Sequence, residues 1–352
     1  MPDDRTLVTE LGTALGTLPY PHPAAALAAR PGQLHIDADT WERFGSVHAA
    51  GRFAAELTRS FANGRALLEA PDGLRGRVPR TVEWTGGRRP PGDEVAPIDL
   101  RIDHVYLVSC KYESDILANV SPGRLFDGLL ATTGAWDRND WYETVAPDEF
   151  VELYRACVDA TGLSSLPPEP RRCGRDELAA LRTALSGRTY PDSRSRDAYA
   201  QLCAAVSAAS ARRWTDQLTA SGTSPETMLW RLLRIGSAPY FVLGHDRRSG
   251  LPARFRIASP WDWREEFELE GFDVAAARAG QPRVDWAGSC RSRRDGKALT
   301  VAGHVEIRWS HGRFAQPPEA KVYLDTPMSG LPGYHPLDPV GEAQPTLWAT
   351  AP

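Results

Sequence analysis

The sequence predicts an α/β protein of the α+β kind: a mixed-sheet first part flanked by helices, a helical middle and a strand-rich end. Three observations predict it. An early stretch with helical apolar spacing leads into a β-branched and aromatic run, VYLVSCKY (105–112). Helical patterns then dominate from Asp148 to Leu233. From Ser237 the pattern changes to strands in PYFVLG, ARFRIA, ALTVAGHVEIRW and AKVYLD. Composition divides the chain at 1–165, 166–235 and 236–352, with a boundary or linker near GLSSLPPEPRRCG (162–174).

Thr40 to Asn63 reads as one amphipathic helix, with Phe44, Val47, Phe53, Leu57 and Phe61 on its apolar side. Asp39 or Thr40 caps its start, and Asn63-Gly64 ends it. TVEW (81–84) reads as a strand, and residues 85–97 are too rich in Gly and Pro to be other than a loop. Asp99 to Tyr112 reads as two short strands or one bent one, with Ile102-Asp103-His104 as the turn. Helices follow around Asp148–Thr161, Arg175–Leu185, Ser195–Ala220 and Ser224–Leu233, where Ser224-Pro225 is a cap followed by a first-turn proline. DRRSG (246–250) and SRRDG (292–296) are basic turns, and the Pro- and Gly-rich tail from Thr326 is expected to lie extended over the surface.

The 352 residues, 42% hydrophobic and 24% charged, suffice for a full core. There is no apolar run long enough to cross a bilayer and no basic, apolar leader, so no membrane role is expected. Five scattered cysteines without a CxxC pair argue against a disulfide framework and a zinc knuckle, and fit a reducing cytoplasm. The net charge of -4 conceals an asymmetry. Residues 171–313 carry 24 Lys and Arg against 16 Asp and Glu, nearly all the cations being arginine, and the remainder is acidic. Arginine favours bidentate contact with phosphate, so the pattern fits a metal site joined to a polyanion-binding surface.

Hydrolysing a phosphodiester with a bound metal requires hard oxygen ligands and a cation near the phosphate or attacking water. Asp99 lies ten residues before Ser109, and Ser109 and Lys111 sit two apart at the end of an apolar run, where alternation points both to one side. This segment, PIDLRIDHVYLVSCKYES, resembles the core of the PD-(D/E)xK nuclease superfamily, the restriction-endonuclease-like proteins. There a helix often bearing Glu precedes a hairpin carrying Asp and then (D/E)-x-K, followed by a further helix and strand. The resemblance covers residues 40–130 and implies Glu56 as the helix acid, Asp99 as a metal-binding Asp and Ser109-Cys110-Lys111 in place of (D/E)-x-K. It further implies Mg²⁺ or Mn²⁺ as cofactor, a DNA substrate with RNA remaining open, and an endonuclease of the restriction or phage-defence type, acting as a homodimer or with a defence-complex partner.

Serine stands where a second carboxylate belongs, and a hydroxyl is a poor metal ligand. Glu83 or Asp103 supplies the charge, or Asp99 holds the metal weakly with backbone and phosphate, or the site is a decayed core in a non-catalytic nucleic-acid-binding or interaction subunit. Catalytic candidates are therefore Asp99, Lys111, Ser109 and Glu83, and metal candidates Asp99, Glu83, Glu56 and Asp103. A second E-x-K, Glu319 to Lys321, has an apolar run after it instead of before it and reads as strand-entry charge. Nucleic-acid contacts are expected from Arg308, Trp309, His311 and Arg313, and from the turn residues Arg247, Arg248, Arg293 and Arg294. Trp261 and Trp263 read as core or as a stacking platform, and Lys111 beside Cys110 would lower that thiol's pKa. HExxH, GxxxxGK[ST] and GxSxG are absent, which excludes zinc-hydrolase, P-loop and α/β-hydrolase readings.

Overall fold

A computed structural model describes residues 2–86, 97–112, 116–131, 140–187, 189–247 and 249–337. It contains eleven helices and two sheets among these residues, one sheet mixed, so the α+β class holds. The chain begins with α1 (Asp4–Gly16), α2 (Pro23–Ala29), β1 (Leu34–His35), α3 (Ala38–Ala49) and α4 (Ala54–Glu69). Next come β2 (Val82–Trp84), β3 (Leu100–Ile102) and β4 (Tyr106–Tyr112). A second group follows: β5 (Ile116–Val120), α5 (Pro122–Phe126), α6 (Trp141–Val145), α7 (Pro147–Thr161), α8 (Arg175–Ala184), α9 (Ser193–Ala220) and α10 (Pro225–Leu232). Then β6 (Tyr240–His245), β7 (Pro252–Ile257) and α11 (Pro260–Glu266) precede β8 (Phe267–Ala277), β9 (Arg283–Ser292), β10 (Ala298–Arg308) and β11 (Glu319–Leu324), and β12 (Tyr334–Pro336) closes the described chain. No helix among the described residues is long and apolar enough to cross a membrane.

Two compact units result, each built from separate stretches of sequence. Unit 1 takes residues 1–114, 234–266 and 328–352, and unit 2 takes 115–233 and 267–327. The sequential division at 165 and 235 does not coincide with them, because β6 pairs in parallel with β4 and β7 pairs with β6, drawing residues 240–257 back to the first part of the chain. Residues 162–174 run between α7 and α8 inside unit 2 and are no boundary.

Unit 1 is ordered β1-β2-β3-β4-β6-β7-β12 in its sheet. The strands β2, β3 and β4 form an antiparallel meander with Leu100 opposite both Trp84 and Val108. One sheet face buries Val82, Leu100, Ile102, Val108 and Leu243 against α1, α3 and α4. Asp3 caps helix α1, its carboxylate accepting from the Thr6 N–H at 2.7 Å, and every residue from Leu7 to Gly16 is buried. Such a helix must partner its polar side chains internally: Thr13 donates to Thr9 and bonds the Tyr112 hydroxyl at 2.7 Å.

The single helix expected over Thr40 to Asn63 is two. Asp37 caps α3, and Gly51 and Phe53 take left-handed backbone (φ 68° and 58°) that ends it before α4 starts. Nor does Asn63-Gly64 stop α4, which continues to Glu69. Gly64 instead lies where α4 crosses α1, and a Cβ there would strike the Thr13 carbonyl, as one at Gly16 would strike that of Phe61. The expected hairpin is present, its turn using left-handed Asp103 and His104 (φ 48° and 61°). The tail from Thr326 is not simply extended on the surface: Leu331, Tyr334 and Leu337 are buried, and β12 pairs with β7.

Unit 2 is an antiparallel sheet, β5-β11-β10-β9-β8, with α9 packed on β8 and β9. Its core is aromatic: Phe126 stacks on Trp141 at 5.5 Å, Trp214 meets Phe126 edge-on, and Phe272 stacks near Trp286. Cap chemistry at Ser224 is as expected, its hydroxyl accepting from Thr227 N–H at 3.1 Å.

Candidate active site at the Asp99 hairpin

Asp99 immediately precedes β3 and is bracketed by strands on both sides. Its N–H donates to the Val108 carbonyl at 2.9 Å, and its carbonyl accepts from Thr85 N–H at 3.0 Å. Its carboxylate oxygen Oδ2 accepts the Cys110 N–H at 2.6 Å and the Ser109 hydroxyl at 3.5 Å. A short backbone bond to a charged acceptor is a strong positional restraint. Ser109 is wholly buried, and its hydroxyl has Asp99 within long hydrogen-bond reach. Lys111 is half-buried two residues further along β4.

An acid that sequence reasoning missed completes the group. Glu10, buried on α1, accepts the Trp84 indole N–H at 2.5 Å, and Trp84 ends the strand that pairs with β3. Burial first, and then the negative charge of Asp99, push the Glu10 carboxyl up to about 8, while the Trp84 bond and the positive charge of Lys111 pull the other way. The charges of Asp99 and Lys111 thus both act on Glu10. The signal for α1 was available: Asp3 is a cap residue and Leu7, Leu11 and Leu15 recur at helical spacing. Nothing in the sequence, however, says that this helix lies over β2 and β4.

The other candidates are placed elsewhere. Glu56 pairs with Arg5 at 3.7 Å and Arg59 at 3.9 Å. Glu83 lies opposite Arg101 in the sheet, on a strand beside the Asp99 segment, but its carboxylate contacts His104 at 3.4 Å. Asp103 accepts the N–H groups of Arg80 and Thr81 at 2.8 and 3.0 Å and serves the turn. The Cys110 thiol is pushed well above its usual range, by burial first and then by Asp99 and Glu10, the reverse of the lowering expected from Lys111. It is no thiolate nucleophile. Glu319 and Lys321 alternate on β11, 3.7 Å apart, opposite Arg308 and Glu306 of β10, as ordinary cross-strand charges do.

Among the basic candidates, Arg308 contacts Glu306 at 3.3 Å and donates to the Tyr323 hydroxyl at 3.1 Å. Trp309 packs edge-on against Tyr142 at 4.8 Å, and exposed His311 lies 3.8 Å from Glu319. Arg313 donates to the carbonyls of Leu185 and Gly187. Arg293 pairs with Glu268 at 3.4 Å, Arg247 and Arg294 are exposed in turns, and Arg248 lies outside the described residues. Trp263 is core, and Trp261 is 73% exposed.

Among the described residues no three His, Cys, Asp or Glu side chains form a metal-holding group. Mg²⁺ commonly takes only one or two carboxylates from a protein and the rest of its shell from water and substrate phosphate, so the oxygen donors of Asp99 and Glu10 suit it. The chain matches no protein-family model, no curated protein and no solved structure.

Proposed function

We propose that unit 1 is a restriction-endonuclease-like nuclease core that hydrolyses DNA phosphodiester bonds with Mg²⁺ or Mn²⁺. The observation that carries this reading is the Asp99 carboxylate, fixed by the Cys110 N–H at 2.6 Å on the hairpin that ends in S-x-K, with the buried acid Glu10 bonded to Trp84 of the neighbouring strand. The order of elements supports it in outline: Glu10 lies on α1, and after α2, β1, α3, α4 and β2 comes the hairpin bearing Asp99 and then S-x-K, with β5 and helices α5 to α10 preceding a further strand, β6, beside β4. Glu10 takes the place of Glu56 as the helix acid, which removes the need for a carboxylate at position 109.

Asp99 and Glu10 would hold the metal, which when bound supplies Lewis-acid polarisation of the phosphate and a more acidic water. Cys110 N–H and the Ser109 hydroxyl keep the Asp99 carboxylate in one orientation, and the Trp84 N–H does so for Glu10. Lys111, two residues beyond Ser109 on β4 and near enough for its charge to act on Glu10, would neutralise charge developing on the phosphate. A defence or restriction role in the cytoplasm, with a second copy or another subunit supplying the second cut, fits such a core.

Plasmid and oligonucleotide cleavage with Mg²⁺, Mn²⁺ or chelator, for wild type, Asp99→Ala and Lys111→Ala, is the test. We expect wild type to cut with metal, stop on chelation and resume on adding metal back, and both variants to lose at least about a hundredfold in rate, a barrier change of about 2.7 kcal/mol. Equal cutting by all three proteins rules the site out. A second reading has its own observation: Ser109 is fully buried and committed to Asp99, as in a core that has lost its ligand and only binds nucleic acid. Salt-sensitive DNA binding without cleavage selects it.

A further inference from the structure

Within unit 2, the loop joining α8 to α9 and the turn after β10 border an open cavity of about 830 Å³. Its lining carries four arginines, Arg182, Arg196, Arg308 and Arg313, and no acidic residue among those described. Aromatic rings form the rest of the wall. Tyr190 is buried, Tyr199 lies 4.7 Å from it at a 34° tilt, and Trp309 adds a third ring. The Tyr190 hydroxyl and the Trp309 indole N–H are buried and have no partner among the described residues.

The arginines divide by task. Arg313 builds the wall: its guanidinium stacks 4.1 Å above Tyr190 while donating to the Leu185 and Gly187 carbonyls at 2.9 and 3.1 Å. Arg308 is shared with Glu306. Arg182 and Arg196 are exposed and form no ion pair among the described residues. Arg196 makes one long bond, 3.4 Å, to the Tyr190 carbonyl, and its charge also favours ionised Asp192. The stem of Arg182 crosses Gly312, where φ is 98° and a Cβ would meet its Cδ at 2.8 Å. Glycine at 312 therefore makes room for Arg182.

We propose that this cavity is a nucleotide subsite, Arg182 and Arg196 taking a phosphate and the tyrosine wall taking the base. Guanidinium forks match phosphate oxygens, and base stacking on aromatic rings tolerates any base. The volume lies in the range of pockets for small ligands, about 300–1,000 Å³. Two sources share this chemistry, a free nucleoside monophosphate and a nucleotide within a DNA strand. A neighbouring depression of about 620 Å³, lined by Arg175, Gln316 and the same Arg182, offers a place for an adjoining phosphate. The inference deepens the nuclease reading by giving DNA a place on unit 2, yet its test uses binding alone.

The test is calorimetry of the full-length protein in chelator with deoxyadenosine monophosphate, deoxyadenosine and a 5′-phosphorylated single-stranded octamer. We expect the monophosphate or the octamer to bind, the nucleoside to bind at least tenfold more weakly, and Arg182→Ala and Arg196→Ala each to weaken binding about tenfold. Both residues are exposed, so the thermal midpoint of either variant should match wild type. Octamer binding without monophosphate binding assigns the site to a strand, and binding of both assigns it to nucleotides generally. No binding of either, or binding unaltered in both variants, overturns the proposal. Asp99→Ala should abolish cleavage and leave these affinities unchanged, so failure of the nuclease reading is seen separately.

Discussion

Glu10 is an acid in an almost wholly buried helix, held by one indole N–H. Its carboxyl is raised from 4.5 to about 8, so the folded chain keeps a proton that the unfolded chain has already released. The stability this contributes is complete below about pH 4.5 and is lost as pH climbs towards 8. In chelator, the unfolding free energy should therefore fall across that window with a slope approaching one proton, about 1.4 kcal/mol per pH unit. Glu10→Gln keeps an acceptor for Trp84 and removes the titration. It should unfold at higher urea than wild type at pH 8 and at a similar urea concentration at pH 4.5. Parallel pH profiles for the two proteins would show that Glu10 ionises normally in the fold. The same variant should lose metal-dependent cleavage, since an amide is a weaker ligand for a hard cation than a carboxylate.

Between elements, the site rests on a buried polar network centred on Asn63 of α4. Its Nδ2 donates to the Gly244 carbonyl at 2.7 Å and to the Tyr112 hydroxyl at 3.2 Å, and its Oδ1 accepts from Arg254 Nε at 2.8 Å. Thr13 adds α1 to the same hydroxyl. The network ties α1 and α4 to β4, β6 and β7, and half-burial lowers the pKa of Arg254. Asn63→Leu would strand a guanidinium and a carbonyl together, for which we expect a loss of about 2–4 kcal/mol in urea unfolding. A loss under about 1 kcal/mol would mean that water replaces the amide. This level also marks where the sequence stops being legible. The Asp99 hairpin is readable because VYLVSCKY is locally β-prone and Asp103-His104 accept left-handed backbone. The α3–α4 break is legible only in part: Gly51 is a helix-stop residue, but Phe53 is a non-glycine residue at positive φ. Glu10 and Asn63 matter through partners 49 to 191 residues away, and no local pattern carries such pairings.

At the scale of the whole molecule, β4 and β6 are neighbours in parallel and so need a crossover. About a dozen residues would suffice for one, yet the chain places residues 115–233, the first stretch of unit 2, between them, and residues 267–327 between α11 and β12. Unit 1 therefore cannot complete its sheet until residues 240–257 and 334–336 have been made. Fragment 1–165 includes β1 to β4 but lacks the strands that follow them in the sheet. It leaves the β4 edge from Val108 to Tyr112 unpaired, a template for association. It should show no cooperative urea transition by circular dichroism and should aggregate at micromolar concentration. Replacing 115–233 and 267–327 each by a flexible Gly/Ser linker keeps every strand of the unit 1 sheet and should restore a single sharp transition. A fragment 1–165 that unfolds cooperatively as a monomer would show that β6, β7 and β12 are dispensable, and that the compositional boundary near 165 delimits an autonomous domain.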